Sequence, residues 1–276
     1  MERESMGWDL KSTFILMKYQ MLFYLKTRRF LTMLILVILI VGLTVGIDLH
    51  VGVSNIRTEY VTSAGFLSSG LSFVAISIAI LAGFYGGDAT SIETGTNSGY
   101  FIMVQPVRKS SILMGRYLGA FILAAGTLLI EFVAVGGMSQ YIFGGINNNF
   151  WLAIGESLFI LMAFLALAFL FSSIFKNPLI GILFSILAFV LIMPIIDEVI
   201  SIENIEPWFN LYYATSIIPA VFGPITHVAT LGGRGPFKIK TFTPYVWEAN
   251  YITLIYLVLS LGLSYAIFRK KEVKPQ

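Results

Sequence analysis

Two glutamates are the residues of this chain best placed to do chemistry inside apolar segments. Glu131 and Glu156 each interrupt a long apolar run, and no lysine or arginine lies in any such run to pair with them. A charged acid facing lipid costs about 2.5–3.5 kcal/mol on insertion scales, so each should face a cavity or the protein interior, or be protonated. Each is therefore either a polar point on a substrate route or a neutral carboxyl bonded to a neighbouring helix. Glu156 could also reach the membrane interface.

Other reactive groups are sparse. The two histidines, His50 and His227, lie outside the apolar runs, and the chain has no cysteine. They could meet as a metal pair, but separate neutral surface side chains are the favoured interpretation, so we predict no metal site. The sequence lacks a GxxxxGK[ST] loop, an HExxH pair and a GxSxG turn, the motifs of nucleotide binding and of two hydrolase classes. We expect no catalytic residue, no cofactor and no nucleic-acid partner.

The composition indicates that lipid is the main solvent of this chain. Of its 276 residues, 57% are hydrophobic and 12% are charged, and the mean hydropathy is +0.84. Soluble domains carry about 25% charged residues. A chain this poor in charge cannot cover a globule with polar groups, so we predict a membrane protein.

Six apolar runs are long enough to cross a bilayer, which takes roughly 18 or more residues per helix. They are Phe30–Ile47, Leu67–Gly87, Tyr117–Met138, Trp151–Phe175, Leu179–Ile196 and Ala249–Phe268. All are predicted helices, because an isolated strand cannot satisfy its backbone in lipid. At about 1.5 Å per residue, Glu131 and Glu156 come to similar depths. The sequence thus predicts an all-α membrane protein with six transmembrane helices.

The lysines and arginines predict the orientation of the chain. Fourteen of the 18 fall on the side that holds both termini and the loop after the second span: Arg3, Lys11, Lys18, Lys26, Arg28, Arg29, Arg108, Lys109, Arg116, Lys176, Arg269, Lys270, Lys271 and Lys274. The positive-inside rule makes that side cytoplasmic. We therefore predict one membrane domain over residues 1–276, with a cytoplasmic leader (1–29), a six-span bundle (30–268) and a cytoplasmic tail (269–276).

Three segments outside the spans have patterns of their own. Leu10 to Arg29 has apolar residues at helical spacing and predicts an amphipathic interfacial helix; an extension of the first span is the alternative. The apolar run from Trp208 to Pro224 is short for a span and predicts a re-entrant or interfacial helix pair before the sixth span. "FKIKTFT", beginning at Phe237, alternates and predicts a short strand.

The loop between the second and third spans has an unusual order of residues. Acidic Asp88 and Glu93 precede a Gly-Thr pair, an apolar run from Tyr100 to Val104, and a basic turn that begins at Pro106. The apolar run predicts a short helix that Pro106 stops. Such a helix would dock in a groove on another protein or rest on lipid.

This order resembles the permease subunits of ABC-2-type transporters. In that family the cytoplasmic segment between the second and third spans forms a coupling helix that docks on an ATP-hydrolysing subunit. The matching positions are Glu93, Gly95, Thr96, Pro106, Arg108 and Lys109, with Arg116 where a lysine is usual. The interfacial helix, the six spans and the re-entrant segment also resemble that family, so the resemblance covers nearly the whole chain.

The resemblance implies a permease subunit that forms the membrane pathway of an exporter and binds no nucleotide itself. A separate ABC ATPase would carry ATP and Mg²⁺ and dock at the loop 86–116 and the N-terminal helix. A second permease subunit, identical or similar, would complete the pathway in the cell membrane. Low polarity within the spans favours a lipid-like, peptide or hydrophobic cargo. The alternatives are an ion-coupled secondary transporter, an intramembrane enzyme and a non-transporting membrane scaffold.

Overall fold

The structure, a computed structural model, describes residues 2–91, 108–231 and 239–270. Helices dominate those residues. They are α1 (Glu2–Lys26), α2 (Arg29–Val51), α3 (Val53–Tyr60), α4 (Ser63–Gly70), α5 (Val74–Gly86), α6 (Lys109–Phe143), α7 (Phe150–Ile174), α8 (Pro178–Leu187), α9 (Met193–Ile202), α10 (Leu211–Thr215), α11 (Ile217–Ala220) and α12 (Val246–Lys270). A two-stranded antiparallel sheet pairs β1 (Val228–Leu231) with β2 (Ile239–Phe242).

Six helical segments are long and apolar enough to cross a membrane, as predicted. In chain order they are TM1 (Phe30–Ile47), TM2 (Ser63–Gly86), TM3 (Lys109–Phe143), TM4 (Phe150–Ile174), TM5 (Pro178–Ile202) and TM6 (Val246–Lys270). A 3₁₀ turn, Leu71–Phe73, joins the two helices of TM2, and a π-helical segment, Ala188–Ile192, joins those of TM5. The prediction of six long apolar helices is confirmed.

TM4 lies at the centre of the bundle. It is the most buried span, and it packs against TM2, TM3, TM5 and TM6. Phe164 and Phe169 are among its fully buried side chains, and the Phe169 ring meets Tyr117 of TM3 edge-on at 5.5 Å between centroids. TM1 is the least buried span.

Glycines let TM2 and TM5 touch through their backbones. A Cβ atom on Gly181 would collide with the carbonyl oxygen of Gly87, and one on Gly83 would lie 2.8 Å from Cγ1 of Ile186. Small residues permit this close helix approach in membranes, where packing must replace the hydrophobic effect between helices.

The predicted N-terminal helix is present as α1 and packs along TM3. Gly115 and Gly119 make the contact possible: an added Cβ would lie 2.7 Å from Leu16 Cβ and 2.8 Å from the Met17 carbonyl oxygen, respectively. The buried Tyr24 hydroxyl donates a hydrogen bond to the Tyr85 carbonyl oxygen of TM2 at 2.7 Å. Residues of the predicted apolar stripe, such as Leu10 and Phe14, are exposed instead.

The segment between TM5 and TM6 contains the expected pair of short helices, α10 and α11, followed by the hairpin. Asn210 caps α10, since its Oδ1 accepts a hydrogen bond from the Tyr212 amide at 3.1 Å, and its Nδ2 donates to the Met193 carbonyl at 2.8 Å. Ser68 of TM2 donates to the Pro219 carbonyl at 2.9 Å, which fixes α11 against the bundle. The predicted strand is β2, and its partner β1 was not predicted.

Candidate functional site

The predicted coupling loop is described only at its two ends. Glu93, Gly95, Thr96 and Pro106 lie outside the described residues, as does the predicted helix over residues 100–104. Arg108 is the N-cap position of TM3 and Lys109 is its first residue. The two ends nevertheless show which spans the loop is joined to.

The end of the loop that leaves TM2 is bound to TM4 by hydroxyl groups. Thr90 and Ser91 are buried, and both backbone amides donate to Oγ of Ser172, at 2.9 and 3.1 Å. The Thr90 hydroxyl lies 3.2 Å from that of Ser173. One serine of TM4 thus satisfies two buried amides that follow TM2, as buried polar groups require.

The same hydroxyls continue to TM6. The Oγ atoms of Ser173 and Ser264 lie 2.7 Å apart, and Ser264 Oγ also donates to the Phe169 carbonyl at 3.3 Å. Thr90, Ser91, Ser172, Ser173 and Ser264 therefore form one buried group, here called the serine cluster. It joins the end of TM2 to TM4 and TM6.

The end of the loop that enters TM3 is bound to the end of TM6. Nζ of Lys109 donates a hydrogen bond to the Arg269 carbonyl oxygen at 3.0 Å. Two helical turns further along TM3, Arg116 donates from Nη1 to the Ala89 carbonyl at 2.5 Å. Cations near a helix C-terminus interact favourably with its free carbonyls. Both ends of the loop are therefore attached to TM6, one through the serine cluster and one directly.

Glu131 lies in the interior between TM2 and TM3. It is 2% exposed, and its polar neighbour on TM2 is Ser77, also buried. Neither Glu131 Oε2 nor Ser77 Oγ has a hydrogen-bond partner in the part of the chain that the structure describes. The side chain thus faces the protein interior, one of the environments expected for an intramembrane acid.

Glu156 bonds to a neighbouring helix. Its Oε1 accepts a hydrogen bond from Nδ2 of Asn250 at 3.2 Å, across the contact between TM4 and TM6. The residue is 6% exposed. The structure does not bring Glu131 and Glu156 together as one site.

A groove of about 680 Å³ runs along TM6 between TM4 and the linker that precedes α10. The TM6 residues that line it include every fourth position from Tyr251, namely Tyr251, Ile255, Leu259 and Leu263. This is the spacing of residues on one helix face. The wall is mostly apolar, and the acids Glu206 and Glu248 lie at the end where TM6 begins. A concave apolar surface with a few polar groups is the usual form of a small-molecule site.

Comparison with protein families identifies the chain. Residues 15–273 match the family described as ABC-2 family transporter protein. The chain belongs to this family. It is a multi-pass membrane protein and the membrane component of a transporter. No curated protein matches the chain.

Family membership has direct consequences for chemistry. ABC-2 permeases lack a nucleotide-binding domain of their own and carry no cofactor, and ATP binds a partner ATPase. The permease is therefore not an enzyme by itself. How an ATPase would be connected to the spans is then the functional question, and within the described residues the serine cluster and Lys109 attach the two ends of the loop 86–116 to TM4 and TM6.

Sequence reasoning missed the serine cluster and the groove. Serines in apolar helices are common, and the only local signal was the adjacent pair Ser172–Ser173 at the end of a span. The TM6 residues that line the groove recur at every fourth position of the sequence, but a stripe of residues that faces lipid has the same spacing.

Proposed function

We propose that this permease is the membrane subunit of an exporter, coupled to a separate ABC ATPase on the cytoplasmic side. Two permease subunits, identical or similar, would form the pathway. The ATPase would dock on the loop 86–116 and on α1, with both termini cytoplasmic. The ion-coupled transporter and the scaffold remain as outcomes of the test.

The attachment of both loop ends to TM6 carries this proposal. Force on a docking loop passes to TM2 and TM3 through the chain itself. Here hydrogen bonds also extend the connection to TM4 and TM6, through Ser172, Ser173 and Lys109. Nucleotide-driven movement of the ATPases would then bias the bundle between two packed arrangements.

The α1 helix fits the same role. It packs on TM3 directly beyond the loop, and it leaves Leu10, Phe14 and Leu25 exposed on one face of the helix. We assign this exposed apolar face to the interface between lipid headgroups and acyl chains, where amphipathic helices lie. In that position α1 would hold the start of TM3 at a fixed depth beside the docked ATPase.

The groove is our candidate surface for cargo. Its apolar wall favours a hydrophobic or amphipathic molecule over a small ion, because a hydrated ion gains nothing from apolar contacts. Two side chains of its wall, Tyr251 and Leu259, are 61% and 58% exposed. The groove is therefore open to a ligand or to the second subunit.

The deciding experiment purifies the full chain in mild detergent through a tag and identifies its partners by mass spectrometry. A stoichiometric partner with a P-loop supports the proposal, and inverted vesicles containing the complex should then accumulate cargo only with ATP. A clean complex without a nucleotide-binding partner would contradict ATPase coupling. Uptake in right-side-out vesicles alone would contradict the export direction.

A further inference from the structure

Three metal-ligating side chains, each 21 residues from the next in the sequence, meet beside the start of TM6. His227 Nε2 lies 3.4 Å from Glu206 Oε2, and His227 Nδ1 lies 3.8 Å from Glu248 Oε2. One potential ligand atom from each residue lies within 4.8 Å of the other two. All three side chains are partly buried, between 20% and 30% exposed.

The tautomer of His227 can be assigned from its hydrogen bond. Nδ1 lies 3.0 Å from the Thr243 carbonyl oxygen, and a carbonyl can only accept, so Nδ1 carries a proton. In the neutral ring Nε2 then has a lone pair, and that lone pair faces a carboxylate oxygen of Glu206. Two lone pairs at this distance repel each other, so a positive species belongs between them, either a proton or a metal ion.

Other contacts hold the two carboxylates in place. The Tyr213 hydroxyl donates to Glu206 Oε1 at 2.8 Å, and the Tyr245 amide donates to Glu248 Oε2 at 2.9 Å. Burial, together with the hydrogen bond to Glu206, raises the pKa of Tyr213, so its hydroxyl remains a donor. The Tyr245 ring stacks on His227 at 4.9 Å between centroids. Metal ligands are typically oriented by such outer contacts.

The charge of the group also favours a cation. Among the side chains that the structure describes, His227 is the only ion-pair partner of Glu206 and of Glu248. The two carboxylates sit at the end of an otherwise apolar groove, where uncompensated negative charge is unfavourable.

We propose that His227, Glu206 and Glu248 form a binding site for a divalent cation of the zinc class. His227 Nε2 and Glu206 Oε2 would be two ligands. Glu248, whose Oε2 lies 3.8 Å from Nδ1 of the same ring, would turn its carboxylate toward the ion as the third, and water would be the fourth. Zinc binds imidazole nitrogen and carboxylate oxygen at about 2.0–2.2 Å in tetrahedral sites, so two ligand atoms lie about 3.3–3.6 Å apart. The separation of 3.4 Å between Nε2 and Oε2 already has this value. Mg²⁺ and Ca²⁺ prefer sites made only of oxygen.

The cation would join three separate segments of the chain. Glu206 lies in the linker after TM5, His227 immediately precedes β1, and Glu248 is in the first turn of TM6. Because Glu206 and Glu248 both line the groove, the site would fix the linker and hairpin over its end. This site is independent of ATPase coupling and of the transport direction.

The test is equilibrium dialysis of the purified full-length permease against Zn²⁺, with metal content measured per chain. We expect one tightly held Zn²⁺ in the wild type, and its loss in His227→Ala, Glu206→Gln and Glu248→Gln. His50→Ala, which removes the only other histidine, and Glu203→Gln, at an exposed acid of the same linker, are matched controls that should keep it.

A second measurement needs no variant. Co²⁺ bound in place of Zn²⁺ should give the visible absorption of a four-coordinate site with nitrogen and oxygen ligands, and Zn²⁺ should abolish it. Wild-type protein without stoichiometric Zn²⁺ at neutral pH would overturn the proposal and leave a proton between His227 and Glu206. Metal retained in His227→Ala, or lost in His50→Ala, would also overturn it.

Discussion

Asn250 of TM6 donates a hydrogen bond from Nδ2 to Oε1 of Glu156 in TM4, across 3.2 Å. This bond lies on the same TM4–TM6 contact that ends in the Ser173–Ser264 pair. The two spans are therefore joined by polar bonds near both ends, with apolar packing between.

The Glu156 bond should stabilise the helix pair without requiring a charge. We expect Glu156→Gln to keep wild-type stability, because an amide oxygen accepts the same bond, and Glu156→Leu to lose about 0.6–1.7 kcal/mol, the range for interhelical bonds in membranes. Unfolding titrations in mixed detergent micelles measure both. In a double-mutant cycle, Asn250→Leu should add nothing to Glu156→Leu; fully additive losses would show that the two side chains do not interact.

Glu131 should tolerate neutralisation. Because it is buried between TM2 and TM3 and does not line the groove, we expect Glu131→Gln to leave expression and ATP-driven transport unchanged. Transport by reconstituted complex, normalised to permease content, is the measurement. Altered transport at unchanged expression would instead place Glu131 on the substrate route.

A disulfide can replace one contact of the serine cluster and so link TM4 covalently to TM6. The Oγ atoms of Ser173 and Ser264 are 2.7 Å apart, so Ser173→Cys with Ser264→Cys should form a disulfide, whose sulfurs are about 2.05 Å apart. The native chain has no cysteine, so thiol-reactive polyethylene glycol reports the bond without background. We expect oxidation to protect both thiols and to reduce transport while the ATPase stays bound.

The matched control for that pair is Ser173→Cys with Ser260→Cys. Ser260 is also buried but lies one turn, about 6 Å, along TM6, so after oxidation its thiol should still react once the chain is denatured. Equal protection in both pairs would mean that the cysteine geometry is not specific. Full transport in the oxidised Ser173–Ser264 pair would argue against movement between TM4 and TM6.

The basic start of TM3 should be needed for ATPase docking. We expect Arg108→Glu with Lys109→Glu to insert normally and lose the ATPase in co-purification, because the charge reversal removes the Lys109 bond to Arg269 and repels an acidic docking surface. Lys176→Glu, an exposed cation between TM4 and TM5, is the charge control and should keep the partner. Stoichiometric binding by the double variant would refute this docking role.

Transport should depend on the size of the side chains on the face of TM6 that lines the groove. Leu259 lines the groove and Val258 does not, although the two are 58% and 60% exposed. We expect Leu259→Trp to reduce transport several-fold and Val258→Trp to have little effect, at equal expression. Equal activity of both variants would mean that cargo does not pass this face.

Hydropathy was sufficient for the number and order of the spans but not for their ends. TM3 was predicted from Tyr117 to Met138, whereas the helix runs from Lys109 to Phe143. Likewise TM5 continues past Ile196 through Asp197 and Glu198 to Ile202. A helix continues as long as each backbone N–H bonds to the carbonyl four residues earlier, and polar residues beyond the apolar core make these bonds as apolar residues do without raising the hydropathy.

The contacts of the site could not be predicted in the same way. Ser91 and Ser172, or His227 and Glu248, are far apart in the chain, and a single sequence contains no signal that pairs them. The expectation that Glu131 and Glu156 avoid lipid came from the cost of a lipid-facing acid, which a sequence indicates from its position along a span, and both side chains are buried. Which neighbour each acid meets depends on helix rotation, and that is set by packing.

TM6 is an unbroken α-helix between the Arg269 carbonyl, which Lys109 holds, and Glu248 at the groove's end. Its 21 intervening steps span about 31 Å at about 1.5 Å per residue. A stiff rod of that length acts as a lever, so a tilt of only about 5° at the Lys109 end would displace Glu248 by about 3 Å. A small tilt imposed at the Lys109 end would therefore grow with distance along TM6 and reach the groove as a movement of ångström size.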